Sequence, residues 1–82
     1  MTYGEIEAAV KDILAKQLSM EAEKISSEAR LVEDLGLDSF GSVEIAFELE
    51  EKFNLKIPDA ALYEAKTVKN IVDYIASVKN IV

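Results

Sequence analysis

Eighty-two residues, half of them apolar, allow one small core, and residues 1–82 read as a single domain. The chain has neither cysteine nor histidine, so a disulfide framework, a thiolate metal site and the usual general base are all missing, which argues against an enzyme and against a metal centre. A net charge of −7 argues against nucleic acid and anionic membrane surfaces as partners.

The first residues lack a basic start followed by an apolar block, so no signal peptide is expected. No apolar run approaches the roughly 20 residues needed to cross a bilayer, and a cytoplasmic monomer is expected. Thr2-Tyr3-Gly4-Glu5 has the Thr-x-x-Glu spacing of a capping box, and Ile6, Val10, Ile13, Leu14 and Leu18 then recur at helical intervals, which predicts a helix over 3–18. A long connection over about 19–37 follows, in which Met20, Ile25, Leu31 and Val32 are spaced too irregularly for a helix and are expected to pin the loop to the core. Gly36 near its end suits a tight turn.

Asp38 is placed to cap a second helix over 39–54, where its charge also complements the helix dipole. Pro58 stops that helix. Asp59 is read as the cap of a short helical segment through about Glu64, and Thr67 as the cap of a last helix carrying Val68, Ile71, Val72, Ile75 and Val78. No segment alternates as a strand does. The expected fold is all-α: a small bundle of three long helices and one short one, with a long loop between the first two.

The acids are not spread evenly. Residues 33–59 hold eight of them and two bases, a net of −6, whereas the rest of the chain is close to neutral at −1. On the second helix, Ile45, Leu49 and Phe53 share one face with Ala46, while Phe40, Val43 and Phe47 gather on roughly the opposite side among Glu44, Glu50 and Glu51. Two apolar stripes on one helix are hard to bury in so small a bundle. The second therefore reads as an exposed strip in an acidic frame, the pattern of a docking surface for basic partners. The alternative is that Phe40 and Val43 fold back over the core beneath the long connection.

The run Glu33-Asp34-Leu35-Gly36-Leu37-Asp38-Ser39-Phe40, followed by Val43-Glu44, Leu49-Glu50, Phe53 and Ile57-Pro58-Asp59, resembles the acyl carrier protein family over essentially the whole chain. Asp38-Ser39-Phe40 stands in the place of the family's Asp-Ser-Leu signature. The resemblance implies that a phosphopantetheinyl transferase attaches 4′-phosphopantetheine from coenzyme A to Ser39, and that the arm's thiol carries an acyl group as a thioester. It further implies that Asp38, Phe40, Val43, Glu44, Phe47, Glu50 and Glu51 meet the basic docking patches of acyl-transferring and fatty-acid or related biosynthetic enzymes. Leu49, Phe53, Ala65 and Ile71 would shelter the acyl chain. Phe40 departs from the usual Leu, and Gly41 stands where an acid is common, at a helix cost of up to ~1 kcal/mol relative to Ala.

Fatty-acid or related lipid synthesis is the broadest expectation for the pathway. A specialised aminoacyl carrier of the D-alanyl type, a polyketide carrier and an unmodified helical interaction module remain alternatives. An enzyme with Ser39 as its own nucleophile lacks an activating base. An EF-hand loop begun at Asp34 puts Ser39 where glycine is required and Ile45 in place of the final Glu, so no specific metal site is expected.

Overall fold

A computed structural model describes residues 2–79. Four α-helices are present among them: α1 (Tyr3–Leu18), α2 (Ser39–Phe53), α3 (Asp59–Glu64) and α4 (Val68–Val78), with a 3-10 turn at Ala22–Lys24. The expected all-α bundle of three long helices and one short one is the architecture found. Among the described residues there is no strand, only an isolated antiparallel bridge between Arg30 and Thr67.

The helix ends follow the capping chemistry of the sequence. Thr2 accepts the Glu5 N–H, while the Glu5 carboxylate accepts the Thr2 N–H at 2.7 Å. Thr67 and Asn70 make the same reciprocal pair at the start of α4. At the other end of α2, Asn54 closes the helix in the left-handed conformation with φ 52°, a geometry its short polar side chain tolerates. The start of α3 differs from expectation. Pro58 occupies the cap position and Asp59 is the first helical residue, because the proline's fixed φ of −65° already sets the chain's entry into the helix.

The core is built from α1, α2 and α4, with α1 packed against both of the others. Ile6, Val10 and Leu14 of α1 are fully buried against Ile45 and Leu49 of α2 and Val68, Val72 and Ile75 of α4. Ala15, Phe53, Ile71 and Ala76 belong to the same cluster. Val78, expected on the α4 stripe, is exposed because it is the last residue of that helix. Every residue that fills the core is apolar, and no polar or charged side chain is buried among the described residues.

The long connection is laced to the rest of the chain by backbone bonds. The Leu31 N–H donates to the Lys66 carbonyl at 2.9 Å, the Val68 N–H to Ala29 at 3.1 Å and the Lys69 N–H to Ser27 at 2.8 Å. Ile25 and Leu31 are buried as expected, with Met20 partly so. Val32 is not: it points outward, since the turn that begins at Arg30 swings it away from Leu31.

Candidate functional site

The turn leading into α2 is tightly bonded. The Asp34 and Leu35 N–H groups donate to the Arg30 carbonyl, Gly36 donates to Val32, and Leu37 donates to Leu31 at 2.9 Å. Gly36 sits at φ +70°, where a side chain would be strained. The Asp34 carboxylate accepts three bonds from Arg30: from its backbone N–H at 2.7 Å and from its guanidinium at 3.2 and 3.1 Å. Those bonds, the guanidinium's first, hold the Asp34 carboxyl below its ordinary value and push Arg30 up. Leu37, buried at the end of the turn, fixes the approach of the chain to α2.

Asp38 caps α2, its Oδ1 accepting the Gly41 N–H at 2.7 Å. Ser39, the first helical residue, is exposed and is not needed to close the helix. Its hydroxyl therefore stands at the electropositive end of a 15-residue helix whose first turn carries no acid. Gly41 contributes to this in a way its helix propensity hides. It is buried, and a Cβ there would lie 3.1 Å from Asp38 Oδ1 and 3.2 Å from Leu37 Cδ1. The missing side chain lets the capping carboxylate and the buried leucine close on the helix start.

Beside Ser39 opens a cleft of about 630 Å³ between α2, α3 and α4. Its exposed rim includes Val32, Asp38, Ser39, Val43 and Tyr63; its floor is made of buried residues including Leu31, Leu37, Ile45, Leu49, Ile71 and Ile75. Leu49, Ala65 and Ile71, expected around an acyl chain, all line it. Phe53 does not: it is packed into the core outside the cleft wall, since it lies a full helical turn beyond Leu49. Sequence reasoning missed Val32, Ile57, Tyr63 and Tyr74 on this wall. The apolar character of Val32 and Tyr63 outside any helical stripe was the one available signal.

The second stripe of α2 is exposed. Phe40, Val43 and Phe47 are 73, 62 and 61% accessible, so the alternative in which Phe40 and Val43 roof the core is not what the chain does. Glu44 and Glu51 are exposed beside them, and with Val43, Phe47 and Glu48 they line a shallow depression. Glu50 is set apart from the outward acids. It is half-buried, and its Oε2 accepts the Ile57 N–H at 2.7 Å. Among the described residues no cluster of three or more acids is arranged to hold a metal ion, and no helix is long and apolar enough to cross a membrane.

The comparisons with known proteins agree with this geometry. The family model for the phosphopantetheine attachment site matches residues 8–75. The acyl carrier protein of Thermosynechococcus vestitus is 45% identical over 75 residues, which is 92% of this chain and 93% of that one. The acyl carrier protein of Helicobacter hepaticus is 44% identical over 71 residues, 87% of this chain and 93% of that one. Among solved structures, an acyl carrier protein from Enterococcus faecalis superposes with a TM-score of 0.79 at 32% identity, covering 94% of this chain and 98% of its own. An exposed serine at a helix tip, the cleft beside it and these likenesses lead to one conclusion: the chain belongs to the acyl carrier protein family, whose members are carriers rather than enzymes and take 4′-phosphopantetheine as their prosthetic group.

Proposed function

We propose that Ser39 is the attachment residue, and that the chain shuttles acyl groups between the enzymes of fatty-acid or related lipid synthesis. When bound, 4′-phosphopantetheine supplies a thiol that holds the acyl group as a thioester. The carrying observation is the pairing of an exposed, non-capping serine hydroxyl with an apolar cleft that shares its rim. The N–H groups of the first turn and the positive helix end favour a phosphodiester on that hydroxyl. Asp38 keeps the turn closed beneath it through the Gly41 N–H.

The floor of Leu49, Ile71, Ile75 and their neighbours supports an aliphatic cargo over an aminoacyl one. An amino acid's ammonium group buried there without a partner would carry a large desolvation cost. For partners, Phe40, Val43 and Phe47 offer contact area, while Asp38, Glu44 and Glu51 supply the charge that steers basic patches. A cytoplasmic location goes with this reading.

Intact mass after incubation with coenzyme A and a broad phosphopantetheinyl transferase tests the assignment. The native chain should gain one prosthetic group, and Ser39→Ala should gain none. A Ser39→Ala chain that is still modified, or a native chain that no competent transferase modifies, would end it.

A further inference from the structure

The hydrogen bond that sets Glu50 apart carries a step beyond the carrier reading, on which it rests. Ile57, whose N–H the Glu50 carboxylate accepts, belongs to the connection between α2 and α3 and lines the cleft. The chain then runs through Pro58 into α3, where Ala61 and Leu62 continue the same wall and Ala65 ends it. A second, longer bond reaches the same connection from α4: the Tyr74 hydroxyl donates to the Lys56 carbonyl at 3.4 Å.

What lies beyond Ile57 holds itself poorly. α3 has six residues and no side-chain cap at its start, and a helix that short is not stable without support at its ends. At its far end the Lys66 carbonyl is fastened to Leu31. At its near end Pro58 has no N–H to offer, so the last backbone donor before the helix is Ile57, and it goes to a carboxylate. A bond with an ionised acceptor is roughly twice as strong as a neutral one. Ile57 and Ala65 pack against the core, but α3 itself makes few contacts with the long helices, and segments of that kind open locally at small free-energy cost.

We infer that Glu50 is a positioning residue for cargo retention: its carboxylate, bonded to the Ile57 N–H, holds the α3 side of the cleft closed and so sets how long an aliphatic chain stays sheltered. It acts through Ile57, and it lies half-buried at the edge of α2's core face although its sequence neighbours mark it as one of the docking acids. Glutamine keeps an oxygen that can accept the same N–H; alanine does not.

The test has two arms. In the unmodified chain, amide hydrogen exchange of Ile57 should quicken about tenfold in Glu50→Ala and return near native in Glu50→Gln. Glu28→Ala, which removes an exposed acid from the long connection, should match the native chain. In the second arm, the prosthetic arm is loaded with acetyl or dodecanoyl groups, and hydrolysis to free acid and free thiol is followed by intact mass. The dodecanoyl thioester should be lost roughly threefold faster in Glu50→Ala and at the native rate in Glu50→Gln, with the acetyl thioester unaffected by either change. The amide of Val72 in the core should meanwhile exchange at the native rate in Glu50→Ala; quickening there as well would mark a general loss of stability and overturn a local brace. Unaltered Ile57 exchange in Glu50→Ala overturns the brace. Faster exchange on a loaded carrier with unaltered dodecanoyl lifetime overturns its role in retention. A native chain that accepts no prosthetic arm removes the carrier reading, and the retention role with it, while the exchange arm still reads the brace.

Discussion

Exchanging Gly41 for Ala should raise the stability of an ordinary exposed helix by about 1 kcal/mol. At this position the gain is not expected. The new Cβ would meet the capping Asp38 carboxylate at 3.1 Å and the buried Leu37 side chain at 3.2 Å, both part of the turn that presents Ser39. We expect the urea midpoint of Gly41→Ala to be no higher than that of the native chain, and the rate of prosthetic-group attachment to fall as the cap is displaced. A clear rise in midpoint would show that the turn yields at little cost. The contrast between Asp38 and Gly41 shows what a sequence makes legible. An acid just before an apolar-periodic run announces a cap, because the bond it makes is local. The burial of Gly41 is set by Leu37 and by the approach of Gln17 from α1, neither of which any spacing within α2 encodes. The Glu50 bond is hidden for the same reason: Ile57 returns to it only after the helix has ended.

At the scale of elements, α1 and α4 are joined by more than apolar contact. The Tyr3 hydroxyl donates to the Asp73 carboxylate, which also receives Lys69 at 2.8 Å from one turn earlier in α4. Hydrogen bonds from Lys69 and then Tyr3 hold the Asp73 carboxyl below its ordinary value, and the bond to Asp73 pushes the Tyr3 hydroxyl up. A carboxyl with a depressed folded pKa contributes stability that is present above its unfolded value of 3.8 and is lost as pH falls through the lower folded value. The raised Tyr3 acts in the opposite sense. Its contribution is complete below pH 10 and disappears as pH climbs through its higher folded value. Asp73→Asn should therefore flatten the loss of stability below about pH 4, and Tyr3→Phe should flatten the loss above about pH 10. Urea midpoints at pH 3, 7 and 10.5 would check both; limbs identical to the native chain would remove the network from the account. Helix positions were readable because capping and 3.6-residue periodicity are local properties. The pairing of Tyr3 with Asp73 crosses two helices and was not.

For the molecule as a whole, the concentration of charge in residues 33–59 becomes a surface once α2 turns Phe40, Val43 and Phe47 outward among its acids. Glu44→Lys and Glu51→Lys should slow association with a basic partner such as the attaching transferase, most strongly at low ionic strength. Screening confines such steering to ~10 Å at 0.1 M salt, so the difference from the native chain should shrink as salt is added. Stopped-flow association rates at 20 and 300 mM salt provide the measurement, and equal rates at low salt would exclude steering by these two residues. This surface was legible because opposing stripes on one helix cannot both be buried in so small a bundle. The cleft was only half legible. Its floor follows the core periodicity, but part of its rim and wall is supplied by Val32, Tyr63 and Ile57, which come from connections and from a helix too short to carry a pattern.

The stretch from Ser27 to Leu31 is stitched by main-chain bonds to Lys66, Val68 and Lys69 at the root of α4. Leu31 in turn receives the Leu37 N–H just ahead of the serine. A tug on anything hung from Ser39 is thus passed into α4, and from there into α1, the most extensively packed pair of helices among the described residues. The post is fixed to the frame, and the α3 panel of the cleft is hung from that same frame at Lys66 and from Glu50 at Ile57.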